Sequence, residues 1–463
     1  MDMRDRLRVV FVVLVGASGC FRSAAPLTEN NLPVDGGGAD GVDALPSTCR
    51  DGTLDGNETD VDCGGSCPRC AAGQHCVSAS DCVSGNCSAD TNTCSAHNVV
   101  SFADAVSYPA DFKPYVMLSA DLDGDGNVDL AVANEEGDTI TAFRNLGNNS
   151  GTFLAIPAST RDGFPTGEYP TGGAIADFNR DGIPDVITAN FHGESVSILL
   201  GSGTGSGYTL MPPANYPAVT GGETSNLAVG DLNGDGIPDV IATNPQASSI
   251  SVFIASADGT LGPASNVAIG VAGQSQPYSV AIGDFDGDGH ADAAVADNYS
   301  ASMFIELGNG DGTFHLAPSQ PAIGGVQSFI VIASDMNLDG KLDLIVANRS
   351  SDDISVLINR GDGSFQTGLV SSTGSNTGPY SLAVADFDHD GLPDVVTADY
   401  LSNTASVLLG RGDGTFIDPM DAGNMGQLPY GIAVGDFDGD GKPDFATANA
   451  LSDDMTVKLN TSP

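Results

Sequence analysis

The sequence predicts an all-β fold, a seven-bladed β-propeller of four-stranded blades, preceded by a small disulfide-rich module. Three observations predict it. A nine-residue acidic loop, Asp436-Phe-Asp-Gly-Asp-Gly-Lys-Pro-Asp444 in its last copy, occurs seven times, beginning at Asp121, Asp177, Asp231, Asp284, Asp335, Asp386 and Asp436. The steps between copies are 56, 54, 53, 51, 51 and 50 residues, a long-period repeat. Each repeat holds four short strand-like segments and no helical periodicity, the signature of a propeller blade.

Within a repeat the elements follow in order. An apolar run such as Tyr380-Ser-Leu-Ala-Val-Ala385 precedes the loop, and Asp394-Val-Val-Thr-Ala398 follows it. A third run, as in Ala405-Ser-Val-Leu-Leu409, comes after a polar turn and is rich in β-formers. Gly412-Asp-Gly-Thr-Phe416 then turns into a fourth, weaker strand, with variants at Gly310–Phe314 and Gly361–Phe365. After the last loop only two strands remain, near 444–448 and 454–460. Ahead of the first loop one is left over, Val99-Val-Ser-Phe102, which aligns with the Gly-Thr-Phe segments. The N-terminal segment is therefore expected to supply the outer strand of the last blade and close the ring.

The loops predict metal sites. Acids stand at positions 1, 5 and 9 in all seven copies, and position 3 is Asp or Asn. The candidate ligands are Asp121, Asp123, Asp125 and Asp129; Asp177, Asn179, Asp181 and Asp185; Asp231, Asn233, Asp235 and Asp239; Asp284, Asp286, Asp288 and Asp292; Asp335, Asn337, Asp339 and Asp343; Asp386, Asp388, Asp390 and Asp394; Asp436, Asp438, Asp440 and Asp444. Hard oxygen ligands at alternate positions, with a glycine that turns the backbone at position 6, suit Ca²⁺. Asn serves because it too offers an oxygen. About seven Ca²⁺ ions are expected. The bland alternative is a set of acidic surface turns, since Asp-Gly is ordinary turn chemistry.

The net charge of −44 comes from 16 basic and 60 acidic residues. It excludes nucleic acid or an anionic membrane surface as an electrostatic partner. The loops hold 25 of the acids, four positions in seven loops less three Asn.

The N-terminus predicts export. Arg4, Arg6 and Arg8 precede the apolar run Val9 to Val15, which is too short to span a bilayer and reads as a signal peptide over 1–20. Ala17-Ser-Gly-Cys20 resembles a bacterial lipoprotein cleavage site, so Cys20 is the expected lipidated residue and an outer-membrane or surface lipoprotein the expected product; simple secretion is the alternative. Residues 21–48 lack periodicity and predict a flexible tether. Cys49, Cys63, Cys67, Cys70, Cys76, Cys82, Cys87 and Cys94 define a module over 49–94 with few apolar side chains, the pattern of a domain held by disulfides. Eight cysteines allow 105 pairings. A zinc reading of Cys63-x3-Cys67-x2-Cys70 is the competing one. The module resembles short eight-cysteine modules of bacterial surface proteins, down to Glu58-Thr-Asp-Val-Asp-Cys-Gly-Gly65.

Over 99–463, the Asp-x-Asp-x-Asp-Gly-x-x-Asp loops and Gly-Asp-Gly-Thr-Phe turns at this period resemble the FG-GAP/VCBS repeats of the integrin α-subunit propeller. That resemblance implies a calcium loop joining the first and second strands of each blade on one rim, with ligands on the opposite face. The Phe-Gly and Gly-Ala-Pro signatures are absent in their literal form, so no partner carries over.

Two features mark that opposite face. An aromatic stands six residues before the loop at Tyr115, Tyr278, Phe329, Tyr380 and Tyr430, replaced by Thr171 and Ser225 in blades 2 and 3. Packing between blades explains these residues; stacking on sugar rings is the functional alternative. Five residues after each ninth-position Asp stands Asn134, Asn190, Asn244, Asp297, Asn348, Asp399 or Asn449, read either as an Asx turn or as a polar ring facing a ligand. Arg360-Gly-Asp362 and Arg411-Gly-Asp413 read as hairpin turns, not adhesion motifs.

No His-Glu-x-x-His, Gly-x-Ser-x-Gly or free catalytic cysteine is present, and the six histidines are scattered. The expected function is a non-catalytic, calcium-binding surface protein mediating adhesion or protein and glycan interaction. The alternatives are a lectin, and a propeller-type polysaccharide lyase or hydrolase.

Overall fold

The structure, a computed structural model, describes residues 99–156 and 163–463, together with His75. The signal segment, Cys20, the tether and the cysteine module lie outside these residues.

Seven four-stranded antiparallel sheets form the propeller. Blade 1 comprises Pro114–Ala120, Asp129–Asn134, Thr139–Asn145 and Phe153–Ile156, and the third strand also pairs with Phe164–Pro165. The other first strands are Pro170–Ala176, Leu227–Gly230, Pro277–Gly283, Ser328–Ser334, Pro379–Ala385 and Pro429–Gly435. Each first strand neighbours the first strand of the next blade, and Pro429–Gly435 neighbours Pro114–Ala120, so the innermost strands close a seven-membered ring. The only helices among the described residues are the 3₁₀ turns Gly205–Gly207 and Pro245–Ala247, in keeping with the missing helical period.

The second strands explain the near-continuous apolar runs after each loop. All six residues of each are buried in every blade, from Asp129–Asn134 to Asp444–Asn449. A strand covered on both faces by neighbouring blades has no solvent side on which to alternate.

Closure differs from the sequence expectation in one detail. The strand that completes blade 7 by pairing with Asp454–Lys458 is Val106–Pro109, a few residues beyond Val99–Phe102. Phe102 makes a single bridge to Asn460. Phe365 and Phe416 of the Gly-Asp-Gly turns make the same single bridge, to Asn359 and Gly410. In blades 5 and 6 this aromatic is an anchor and the fourth strand starts only after it, at Leu369–Ser372 and Met420–Asn424, whereas in blades 1 and 4 Phe153 and Phe314 begin the fourth strand themselves.

The polar ring at the ends of the second strands is fully buried, which removes it from any ligand. Asn190 Nδ2 donates to Ser195 Oγ (3.0 Å) and Ser197 Oγ (2.7 Å), and Asn348 Nδ2 to Asp353 Oδ1 and Ser355 Oγ (2.8 Å each). Asn134 and Asn449 bond the matching Thr and Asp side chains of the third strand. These bonds tie the second strand to the third where backbone pairing ends. Asp399 fills the same place in blade 6 and accepts from Thr397, Thr404 and Ser406.

Burial raises the Asp399 carboxyl to about 7, against an ordinary 3.8. The folded chain therefore binds this proton more tightly than the unfolded one. Stability from this group falls as pH rises from about 4 to about 7 and is flat above that. Asp399→Asn restores the amide used in five other blades, and should add about 1–2 kcal/mol at pH 8. The gain should shrink toward zero as pH falls to about 5, read as the difference in Tm between variant and wild type at the two pH values.

Candidate metal centres

Each acidic loop connects the first strand of a blade to the second, as between Ala120 and Asp129 in blade 1. Its backbone is organised by the carboxylate at position 1. Asp121 accepts from the N–H groups of Gly124 (2.8 Å), Asp125 (3.1 Å) and Gly126 (3.0 Å). The bond from the position-6 glycine recurs in all seven loops at 2.7–3.0 Å. That glycine has φ between +79° and +91° in every copy, a conformation that a Cβ would strain.

Four loops bring carboxylates from positions 1, 3 and 9 within 4.8 Å of one another: Asp121, Asp123 and Asp129; Asp284, Asp286 and Asp292; Asp436, Asp438 and Asp444; and the same grouping in the loop from Asp386 to Asp394. In the other three, Asn179, Asn233 and Asn337 hold position 3. Their carbonyl oxygens accept the position-5 N–H at 2.9–3.0 Å, as Asp123 does at 3.1 Å. The four triads could hold a metal ion, and the oxygen-only donor set is that of Ca²⁺.

The first loop provides a test of fit. Asp123 Oδ2 is buried and accepts no hydrogen bond, and the Arg144 guanidinium lies 4.0 Å away. Burial and the neighbouring Asp125 and Asp121 charges push the Asp123 carboxyl above its usual range, and Asp438 is raised by burial and by Asp440 and Asp436. Clustered, poorly solvated carboxylates of this kind fit a cation.

Position 5 also has a backbone partner. Asp125, Asp181, Asp235, Asp288, Asp339 and Asp440 each accept the N–H two residues on, at 2.8–3.0 Å, and none belongs to a triad.

Position 9 does more than its spacing implied. One oxygen accepts the position-2 N–H of its own loop, at 2.7–3.0 Å in the seven copies. The other accepts, at 2.6–2.8 Å, the N–H of the residue sixteen positions on, where the third strand ends. These carboxylates are at most 1 % exposed. Burial raises Asp129 and Asp444 to about 7, and Asp185, Asp239, Asp292 and Asp343 to about 6.

The loops also join neighbouring blades. The position-2 side chains Leu122, Phe178, Leu232, Phe285, Met336, Phe387 and Phe437 are all buried. Phe285 meets Phe365 of the next blade at 5.6 Å edge-on, and Phe437 meets Phe153 likewise. The position-2 carbonyls accept from the following blade's turn: Gly312 N–H to Leu232 (3.0 Å), Gly363 N–H to Phe285 (3.1 Å) and Asn145 Nδ2 to Phe437 (2.8 Å). The Gly-Asp-Gly turns are therefore docking elements, with Asp362 and Asp413 capping their own turns. An apolar residue at position 2 in every copy was the signal in the sequence for this seam.

On the opposite face, the structure brings the five predicted aromatics together. Each is the second residue of its innermost strand and the extra residue of a β-bulge, as between Pro114 and Val116 or Pro379 and Ser381. The bulge re-aims these side chains toward one cluster. Tyr115 stacks on Tyr430 at 4.5 Å, Phe329 lies 4.5 Å from Tyr380, and Tyr278 meets Phe329 at 4.9 Å. The hydroxyls of Tyr115 and Tyr380 are hydrogen-bonded. Burial holds Tyr115, Tyr278, Tyr380 and Tyr430 above the usual phenol range. Two members were not in the sequence reading: Tyr400, and Arg349, whose guanidinium lies 4.4 Å from the Tyr400 ring centroid and 5.6 Å from that of Phe329.

Phe329 and Tyr380 are buried and the other three are half-buried, so packing accounts for this cluster. Tyr380→Ala should cost about 3 kcal/mol in urea unfolding, the usual effect of emptying a buried aromatic site.

No curated protein matches the chain in sequence. A family model described as an FG-GAP-like repeat matches residues 121–188, 177–242, 231–295, 335–397 and 387–447, together more than half of the chain. Among solved structures, BBS1N in complex with ARL6DN is 14% identical, with a TM-score of 0.51 over 78% of this chain and 98% of its own. A Lactobacillus plantarum protein is 16% identical, with a TM-score of 0.51 over 74% and 91%. At such identity these likenesses concern the fold alone. The repeat loops, their period and the blades they join agree with the sequence match: the chain belongs to the FG-GAP-like repeat family.

Proposed function

We propose that this protein is a non-catalytic, exported surface protein. Its seven loops bind about seven Ca²⁺ ions as structural staples, and the face opposite them mediates adhesion to a protein or glycan. The observation that carries the reading is the place of the metal loops in the fold. Each packs its position-2 side chain into the core, and several bond the next blade through the position-2 carbonyl. An ion held there stabilises the ring and is turned away from the other face. Calcium-dependent folding suits a compartment with abundant free Ca²⁺, consistent with the export signal and lipidation at Cys20 read from the sequence.

The test is a pull-down with the full chain against envelope and host-type proteins and glycans, with millimolar Ca²⁺ or with chelator. Partner retention is expected only with Ca²⁺, and Cys20→Ala should abolish labelling by palmitate without changing retention. Turnover of a uronic-acid polymer by the purified chain would refute the non-catalytic assignment.

A further inference from the structure

The face opposite the metal loops is made by two kinds of connection: those from second to third strand, and those from a fourth strand to the next blade. The propeller's glutamates are concentrated there. Six occur in residues 99–463, and five of them, Glu135, Glu136, Glu168, Glu194 and Glu223, lie on these connections in blades 1 to 3. The sixth, Glu306, is buried in blade 4. Aspartate, by contrast, dominates the metal loops.

Exposed apolar side chains are spread along the rest of that face. Val271, Tyr299, Val326, Leu401, Leu451 and Phe112 are 57, 73, 54, 44, 64 and 47 % exposed, and all stand on the same connections from blade 4 round to the start of blade 1. Among the described residues the glutamate sector carries no large exposed apolar side chain. Within that sector a cavity of about 570 Å³ lies between blades 1 and 2, lined by Asp138, Glu168, His192, Ser195 and Asn215 among others.

The geometry points to a bipartite docking surface for a cationic, partly apolar polypeptide segment. Lysine or arginine side chains meet the glutamates of blades 1 to 3, and apolar side chains cover blades 4 to 7. This inference rests on the proposed non-catalytic binding role and names the face and the partner class. Charge complementarity selects the occupant: anionic partners are repelled, and cationic side chains are drawn to the glutamates. The chain's own cations show the chemistry. Lys113 Nζ lies 2.6 Å from Glu135, 3.4 Å from Glu136 and 5.8 Å from the Tyr169 ring centroid, and Arg349 lies over Tyr400. Lys113 covers the buried Glu135, so a partner's lysine or arginine meets the other glutamates, of which Glu136 and Glu168 are exposed. The apolar sector offers the adjoining contact that a purely electrostatic ligand would leave uncovered.

The experiment is calorimetry on the full chain with Ca²⁺. The probes are a synthetic Lys/Leu-rich peptide, a Glu/Leu-rich peptide of equal length and an oligolysine. The Lys/Leu peptide should bind tightest and the Glu/Leu peptide not at all. Glu136→Gln, Glu168→Gln and Glu223→Gln together should weaken the Lys/Leu peptide by about tenfold, and Tyr299→Ser with Leu451→Ser by about fivefold. A control removes equal charge from the residues that lead into fourth strands (Asp104→Asn, Asp258→Asn, Asp418→Asn) and should change affinity by less than about twofold. Equal weakening by the control, or none from the glutamate variants, overturns the inference. A glycan retained by wild type and lost in the glutamate variants overturns the partner class. A partner retained in the pull-down regardless of these variants sinks this inference and leaves the broader reading intact. Wild type that retains neither peptide, protein nor glycan with Ca²⁺ bound defeats both.

Discussion

Removal of Ca²⁺ should lower the melting temperature by about 20 °C or more, and added Ca²⁺ should restore it in a concentration-dependent way. One site occupied at a hundred times its Kd contributes about 2.7 kcal/mol, so the four triads alone reach on the order of 11 kcal/mol and the seven proposed sites on the order of 20. The latter is more than the whole stability of a typical domain. The metal-free chain faces a second cost, because the triads then hold like charges in poorly solvated positions: Asp121, Asp123 and Asp129 are the first example. Loss of order should begin between blades, since the position-2 side chains Phe285 and Phe437 hold Phe365 and Phe153 of the next blade. Differential scanning calorimetry in excess chelator, then in graded Ca²⁺, reads the effect directly. A melting curve indifferent to chelator would remove the metal assignment.

The repeat made most of this architecture legible. Seven copies of one loop fixed the blade count, and four strands per period fixed the blade. Closure was legible in kind but not in register. Phe102 has the look of a strand residue because it shares the Gly-Thr-Phe pattern, yet it makes a single bridge, and the pairing strand is Val106–Pro109. The four carboxylate triads were legible because positions 1, 3 and 9 of one short loop must converge. The second duty of position 9 was not. Its partner sixteen residues on is met through a backbone N–H, which any residue supplies, and Asn145, Gly201 and Ala255 all serve. The aromatic cluster was visible as a column of Tyr and Phe, whereas Tyr400 and Arg349 join it from another connection with no repeating signal.

Separating the two duties of position 9 is the sharper experiment, and blade 4 is suited to it. Asp292 and Asp286 belong to one triad, but only Asp292 also accepts two backbone bonds, from Phe285 (2.7 Å) and Gly308 (2.8 Å). Both Asp292→Ala and Asp286→Ala should abolish Ca²⁺ binding at this loop, so titration calorimetry should count one ion fewer in each. Their stabilities should then diverge in excess chelator. Asp286→Ala removes one of three like charges and a single exposed backbone bond, from Asp288 N–H (3.1 Å), so it should be close to neutral there. Asp292→Ala leaves two buried N–H groups without acceptors and should cost about 3 kcal/mol or more even without metal. The burial that raises Asp292 to about 6 works against this, because its removal relieves a buried charge above that pH. The net effect should therefore be larger at pH 5, where the folded carboxyl is mostly protonated and that relief is smaller, than at pH 8. Urea unfolding of both variants, with Ca²⁺ and with chelator, at the two pH values decides the matter. If Asp292→Ala proves as harmless as Asp286→Ala in chelator, position 9 is a ligand alone. If it does not, each loop is stapled twice, once by its ion and once by its own backbone, and the sheet register survives the loss of the metal that secures the ring.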